Sequence, residues 1–394
     1  MSLRRKATCV LTLVVGVAAL VTGPLQAQAA PAAFSHPGVL VSRAQLDFVK
    51  AKVNSGAQPW SSAFDQMMGS SYASLSRQPK PRAIVECGSY SNPNYGCTDE
   101  REDAIAAYTD ALAWYLTGDS RYADKAISIM DAWSAVIQNH TNSNAPLQTG
   151  WAGAVWPRAA EIIRYTYGGW SASSIDRFKT MLRNVYLSKV AGGSNSNGNW
   201  ELVMMEAAVG ISVFLDDKSA YDSAMARFRN RTAAYVYLTS DGALPKTVPG
   251  SGLDTRDEIV SYWQGQSTFV QGLTQETCRD FTHTGYGIAS ISDVAETAWI
   301  QGEDLYQTDV GTRLRYALGF QALYERGAAV PSWLCDGSVK RGLGPVTEVG
   351  FNALHTRLGI AMTNTQALTE GNRPAGSNNL FVAWETLTHA ENPA

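Results

Sequence analysis

"DEREDAIAAYTDALAWYLTGD" (residues 99–119) runs directly into "SRYADKAISIMDAWSAVI" (120–137), and this pair decides the fold. In both segments apolar residues return every three or four positions, the period of a helix with one buried face. Gly118 and Asp119 interrupt the pattern: glycine ends one helix and an acidic side chain caps the next. The pair therefore reads as an antiparallel helical hairpin. "SRAQLDFVKAKVNSG" (42–56), "WPRAAEIIRYTYGGW" (156–170), "SSIDRFKTMLRNVYL" (173–187), "NWELVMMEAAVGISVFLDD" (199–217) and "KSAYDSAMARFRNRTAAYVYL" (218–238) repeat the same period with short Gly, Asp or Ser breaks. Strand-like alternation is scarce.

Consecutive antiparallel helices build either a solenoid or a ring of hairpins. Ala104 to Trp133 superficially resembles a tetratricopeptide repeat, so a scaffold protein is one alternative. No 34-residue period continues past it, and the loops differ widely in length and content. The predicted fold is all-α, an incomplete (α/α) toroid.

The chain has 394 residues and ample apolar content for a large core. Arg4, Arg5 and Lys6 precede an apolar run from Val10 to Val21, and a small-x-small site follows near Ala29, so residues 1–29 read as a signal peptide. Residues 30–394 are then expected to form a single catalytic domain, exported and free of the membrane. Removing the leader takes the formal charge from −3 to about −6, and the remaining chain has no basic run, which argues against nucleic acid as a partner. A monomer is the expectation. Cys9 leaves with the leader, and Cys87, Cys97, Cys278 and Cys335 remain. In an oxidising compartment four cysteines suggest two disulfides. Cys87–Cys97 and Cys278–Cys335 are the expected pairs. No Cys-x-x-Cys pair and no histidine at ligand spacing supports a zinc site, so neither metal nor cofactor is expected.

The loops depart from a plain helical bundle. Residues 140–158, 191–201, 239–266 and 331–352 read as long connections rich in Asn and Gly and studded with Trp. Long loops in a compact domain are functional or disordered, and the aromatics argue against disorder. Trp beside Asn suits a carbohydrate cleft, because aromatic faces cover sugar rings and amides bind hydroxyls. The plain alternative is that these Trp residues pack helix junctions.

"QETCRDFTHTGYG" (275–287) raises a sharper question. On a continuous helix Glu276, Arg279, His283 and Tyr286 fall within about 80° of one another, on the spacing a core stripe normally fills with leucines. Gly285 and Gly287 weaken that helix, each by roughly 1 kcal/mol relative to Ala, so a turn leading into a helix near Tyr286 is the alternative. Asp280 lies off the row and reads as a structural hydrogen-bonding group.

"SNGNWELVMMEAAVGISVFLDD" (196–217), "QETCRDFTHTGYG" and "EVGFNALHTRLG" (348–359) together resemble three blocks of the alginate lyase superfamily of polysaccharide lyases, in the same order. The resemblance extends from "HPGVLVSRAQLDFVKAKV" (36–53) to "NNLFVAWETLTH" (378–389). It implies an α/α toroid with a cleft, and β-elimination at a 4-linked uronate, alginate- or glucuronan-like, by an Asn, an Arg, a His and a Tyr. Elimination removes a weakly acidic C5 proton, so the neighbouring carboxylate must be neutralised by fixed donors. A base takes the proton and an acid serves the leaving oxygen. The resemblance assigns Asn199 and Arg279 to carboxylate binding and Tyr286 to proton transfer, with its phenol expected to be lowered by the nearby Arg279. One branch of the family has a His directly after the cleft Asn; here that position is Trp200. His283 is assigned as base or second neutraliser, with His140 and His355 as alternatives and His36 and His389 as structural residues.

Trp151, Trp156 and Arg158 read as subsite wall, although "WPR" could equally start a helix with Pro at its first position. Trp200, Tyr262, Gln264 and Gln266 are further cleft candidates. Glu348, Asn352, His355 and Arg357 read either as substrate contacts or as a buried polar network. Two rivals stand: a glycoside hydrolase, which needs paired carboxyls such as Glu201, Glu206, Asp241, Asp254 or Glu276, and a non-catalytic glycan-binding or scaffold protein.

Overall fold

The computed structural model describes residues 33–394; the expectations for residues 1–29 and Cys9 lie outside them. The first helices are α1 (Arg43–Asn54), α2 (Trp60–Met68), α3 (Cys97–Thr117), α4 (Ser120–Val136), α5 (Ala145–Thr166), α6 (Ala172–Met181) and α7 (Ser188–Val190). They continue as α8 (Gly198–Leu215), α9 (Lys218–Tyr235), α10 (Arg256–Tyr262), α11 (Phe281–Ile300) and α12 (Asp309–Glu325). The short α13 (Glu348–Phe351), α14 (Thr363–Gly371) and α15 (Glu385–His389) end the chain. Gly118, in the left-handed region, closes α3, and Asp119 caps α4 through the Arg121 amide, as the opening hairpin requires.

Helices α3, α5, α8 and α11 pack each on the next to form an inner row, backed by α4, α9 and α12, while α6 rests on α4. The last part of the ring is made from short pieces: α13 packs on α11, α15 on α13, and α1 bridges α15 to α3. This is an incomplete α/α toroid. An inner helix has neighbours on every side and is buried all round, its charged residues included. In α8 every residue except Trp200 is buried, so the one exposed edge of that helix marks a cavity.

Two glycines let the inner helices meet. A Cβ on Gly198 would lie 2.2 Å from the Tyr235 ring, and one on Gly287 2.4 Å from its other edge. Tyr235 is thus wedged between the start of α8 and the second turn of α11. Gly287 serves this close approach, which outweighs its poor helix propensity.

Strands β1 (Ile84–Cys87), β2 (Asn94–Tyr95) and β3 (Asn139–Thr141) form a small sheet in the order β2–β1–β3, with Glu86 opposite Tyr95 and Val85 beside His140. It presents the loop 88–93, closed by Cys87–Cys97, whose Cα atoms are 5.9 Å apart.

The stretch 140–158 is not a long loop. The connection ends at Asn144, and α5 holds both Pro146 at its start and Pro157 in its interior. The Pro157 ring lies where a side chain on Gly210 of α8 would be, so packing overrides the usual helix-breaking effect of proline. "WPR" is therefore mid-helix and starts nothing.

Candidate active site

The stretch 275–287 is a turn followed by a helix. Residues 275–279 form turns, Asp280 is the N-cap, and α11 begins at Phe281, so Glu276 and Arg279 do not share one helical face with His283 and Tyr286. The turn is fastened by Cys278–Cys335, Cα atoms 5.1 Å apart, and by the Phe281 amide donating to the Lys340 carbonyl.

Glu276 is fully buried and organises the turn. Its carboxylate accepts from Asn199 Nδ2 at 2.7 and 2.8 Å, from the Asn199 amide at 3.1 Å, from the Tyr235 hydroxyl at 3.1 Å and from Arg279 Nη1 at 2.8 Å. This ties α8, α9 and the turn together. Arg279 keeps a quarter of its side chain exposed, and its other donors have no partner among the described residues. Asn199 is fully buried behind it, with its amide nitrogen on Glu276, and does not line the cavity.

That cavity, about 270 Å³, is walled by Trp151, Trp200 and Tyr90, and Arg279, His283 and Tyr286 line it together. Tyr286 meets Trp151, His283 and Phe381 edge-on, with centroids 6.4, 5.6 and 6.1 Å away. A larger cavity, about 400 Å³, lies between α12 and α14, but no histidine or carboxyl lines it. Of the two, only the smaller brings a histidine together with a tyrosine and an arginine.

His283 Nδ1 is 2.7 and 2.8 Å from the two Asp280 oxygens, and Asp280 Oδ1 also accepts the His283 amide at 2.8 Å. Burial pushes the Asp280 carboxyl up, but the hydrogen bonds and charge from His283, aided by Arg279, hold it below its ordinary value. Tyr286 differs from the expectation. Burial, reinforced by Asp280, raises its phenol, and Arg101 and Arg279 only partly oppose this. The hydroxyl therefore stays protonated at neutral pH.

Several expected cleft residues lie elsewhere. Trp156 is fully buried and donates to the Tyr186 hydroxyl at 3.0 Å. Arg158 is sealed inside the ring on Glu206, Asp293 and the Phe381 carbonyl. Tyr262 and Gln264 brace the 194–197 loop instead of lining the cavity: Tyr262 donates to the Ser196 carbonyl and Gln264 to Asn197. Gln266 is buried, donating to the Trp333 carbonyl and accepting from the Cys335 amide. His355 stacks on Phe351 and bonds the Ile360 carbonyl through Nδ1, away from the cavity. His140 is buried on Glu100. Arg357 pairs with Glu296, and Glu348 with Arg373, so "EVGFNALHTRLG" is a buried network.

The carboxyls a hydrolase would need are engaged elsewhere. Glu201 is paired with Arg231, Glu206 with Arg158 and Asp241 with Arg313. Asp254 is exposed beside α10, Glu276 is buried, and no carboxyl lines the cavity.

Two contributors escaped the sequence reading, and the reach of a third was understated by it. Tyr90 is 93% exposed at the cavity rim, held in a disulfide-closed loop whose Ser/Asn/Pro/Gly content was its only signal. Arg101 stacks over Trp151 at 5.4 Å and pulls on the Tyr286 phenol, but in sequence it is one charge within an acidic helix start. Asp280 holds the His283 ring, and its three-residue offset is the ordinary spacing of a cap.

A search of curated proteins returned no match. Among solved structures the chain is similar to alginate lyase A1-III from Sphingomonas species A1, with 16% identity and a TM-score of 0.57 over 90% of this chain and 99% of that one. A His-to-Ala variant of alginate lyase A1-III complexed with tetrasaccharide matches with 16% identity and a TM-score of 0.62 over 92% and 98% of the two chains. An alginate lyase from Bacteroides ovatus matches with 12% identity and a TM-score of 0.57 over 90% and 99%. These likenesses establish the fold. The alginate lyase family model matches residues 71–329, most of the chain. The chain belongs to the alginate lyase family and is a polysaccharide lyase.

Proposed function

We propose that this protein cleaves a 4-linked polyuronate, alginate- or glucuronan-like, by β-elimination. The observation that carries this reading is the meeting of Arg279, His283 and Tyr286 on one aromatic-walled cavity that no carboxyl lines. Arg279, anchored on one side by Glu276 with Asn199 behind it, offers its free donors to the uronate carboxylate and stabilises the charge that develops as C5 loses its proton. His283 and Tyr286 carry the proton transfers. Tyr286, protonated at neutral pH and lining the cavity, has a proton to give the leaving glycosidic oxygen. Trp151, Trp200 and Tyr90 cover the sugar faces. Bond cleavage then yields a C4–C5 double bond on one fragment and a hydroxyl on the other, with no water consumed.

The disulfides suit an oxidising compartment, and with the basic-apolar leader they support a secreted enzyme once residues 1–29 are removed. The test is to incubate the protein with a panel of polyuronates and follow the ultraviolet absorbance of an unsaturated uronate. Absorbance rising in step with new chain ends is expected. New reducing ends without it would replace elimination by hydrolysis.

A further inference from the structure

Asp280 does two things at once. It caps α11 through the His283 amide, and both of its oxygens lie on Nδ1 of the same residue's ring. An ionised carboxylate only accepts, so Nδ1 must carry a hydrogen. In the neutral ring the lone pair then sits on Nε2, which has no partner among the described residues, on a side chain that lines the cavity. The charged and titratable groups around the ring are Asp280, Arg279 and Tyr286, with Arg101 beyond Trp151.

Resting on the elimination reading above, we infer that Asp280 is a positioning residue that fixes His283 as the Nδ1–H tautomer, so that Nε2 is the base and Tyr286 the acid. The C5–H bond breaks as Nε2–H forms. The C5 electron pair becomes the C4–C5 double bond, and the C4–O bond breaks with its pair going to oxygen. Tyr286 gives that oxygen its proton. The imidazolium then releases a proton to solvent and the phenolate regains one, so no oxidant, reductant or metal enters. This arrangement also accounts for Trp200 at the position where one branch of the family has histidine: here the imidazole comes from the first turn of α11 and carries its own orienting carboxylate.

Asp280→Asn separates the cap from the tautomer. Asn caps helices as well as Asp does, so its oxygen keeps the His283 amide bond. Its NH2 group then faces Nδ1 and forces the Nε2–H tautomer, leaving a donor where the base should be. The expected result is a loss of about 10²- to 10⁴-fold in kcat, with KM changed less than about threefold and thermal stability retained. Histidine ¹⁵N spectra, with His283 assigned by a His283→Gln variant, should show Nδ1–H in the native protein and Nε2–H in Asp280→Asn. Full activity in a folded Asp280→Asn, or an Nε2–H tautomer in the native protein, would overturn the proposal. The spectra need no substrate. A native protein with the Nδ1–H tautomer that eliminated no polyuronate would therefore defeat the functional reading and leave the dyad standing.

Discussion

Two of the arginine–carboxylate clusters differ sharply: the one in the turn that leads into α11 faces a cavity, and the one around Arg158 inside the ring does not. At the entrance to α11, Arg279 has one partner, Glu276, and free donors beside an open space. Inside the ring, Arg158 is engaged by Glu206, Asp293 and the Phe381 carbonyl, with both Glu385 oxygens buried and unpartnered among the described residues. Burial drives Asp293 and Glu385 well above the ordinary carboxylate range; their own like charges add to this, and Arg158 only partly offsets it. One guanidinium cannot serve three carboxylates in a dry interior, so some stay protonated. Density of charge therefore does not mark the site. Unused hydrogen-bonding capacity that meets solvent does.

The largest effect that tests this contrast is on the open side. Tyr286→Phe removes one hydroxyl and leaves the ring against Trp151 and Phe381, so kcat should fall about 10²- to 10⁴-fold while oligosaccharide binding and the melting temperature hold. A folded variant with near-native turnover would make the phenol a packing group.

Exchanging the two arginines comes next. Arg158→Ala leaves buried acids without their cation and should lower unfolding free energy by about 3 to 5 kcal/mol in denaturant titrations, with KM of the folded fraction unchanged. Arg279→Ala also takes the cation from buried Glu276, but Asn199 and Tyr235 still donate to that carboxylate, so the stability loss should be smaller than for Arg158→Ala while both KM and kcat are impaired. The opposite pattern would mean that the sealed cluster, not the cavity, meets substrate.

The sequence reading failed where this contrast is invisible. The helical period of 99–137 carried the hairpin, and both cysteine pairs joined as expected, because those signals are local. Arg158 reads as subsite wall because it sits in a Trp-rich stretch; its burial depends on α8 and α11 closing over it. Glu276 was visible as an anomaly in an apparent stripe. Its role required knowing that Asn199, 77 residues earlier, lies against it. Asp280 reads in sequence as a structural hydrogen-bonding group off the row, and nothing in one dimension tells that its carboxylate reaches both the His283 amide and the ring.

A smaller effect is expected at the cavity wall. Trp200 is the one residue of α8 that is not buried, so Trp200→Ala should raise KM about three- to tenfold through lost aromatic contact, with kcat little changed. His355→Ala is the matched control: stacked on Phe351 away from the cavity, it should leave both constants within twofold.

The smallest effect concerns pH and comes from the sealed side. Asp110 lies buried in α3 with both oxygens unpartnered among the described residues, and burial pushes its carboxyl up to about 8, with Lys125 and Arg77 opposing. In the unfolded chain it ionises near 3.9. Between these values the folded state holds a proton that the unfolded state has lost, so its contribution is fully present below about pH 4 and declines as pH rises towards 8. His389 has the opposite sign. Burial lowers its ring to about 4, so below 6.5 the unfolded state takes a proton that the folded state refuses, and stability declines as pH falls through that window. The two oppose each other from 4 to 6.5, and only the Asp110 decline remains from 6.5 to 8. Asp110→Asn, which keeps the shape and removes the titration, should change the melting temperature little at pH 5 and raise it by a few degrees at pH 8. An effect of Asp110→Asn that is the same at pH 5 and pH 8 would show that Asp110 is already ionised in the fold across that range, and that the interior tolerates unpaired charge the way the cavity does.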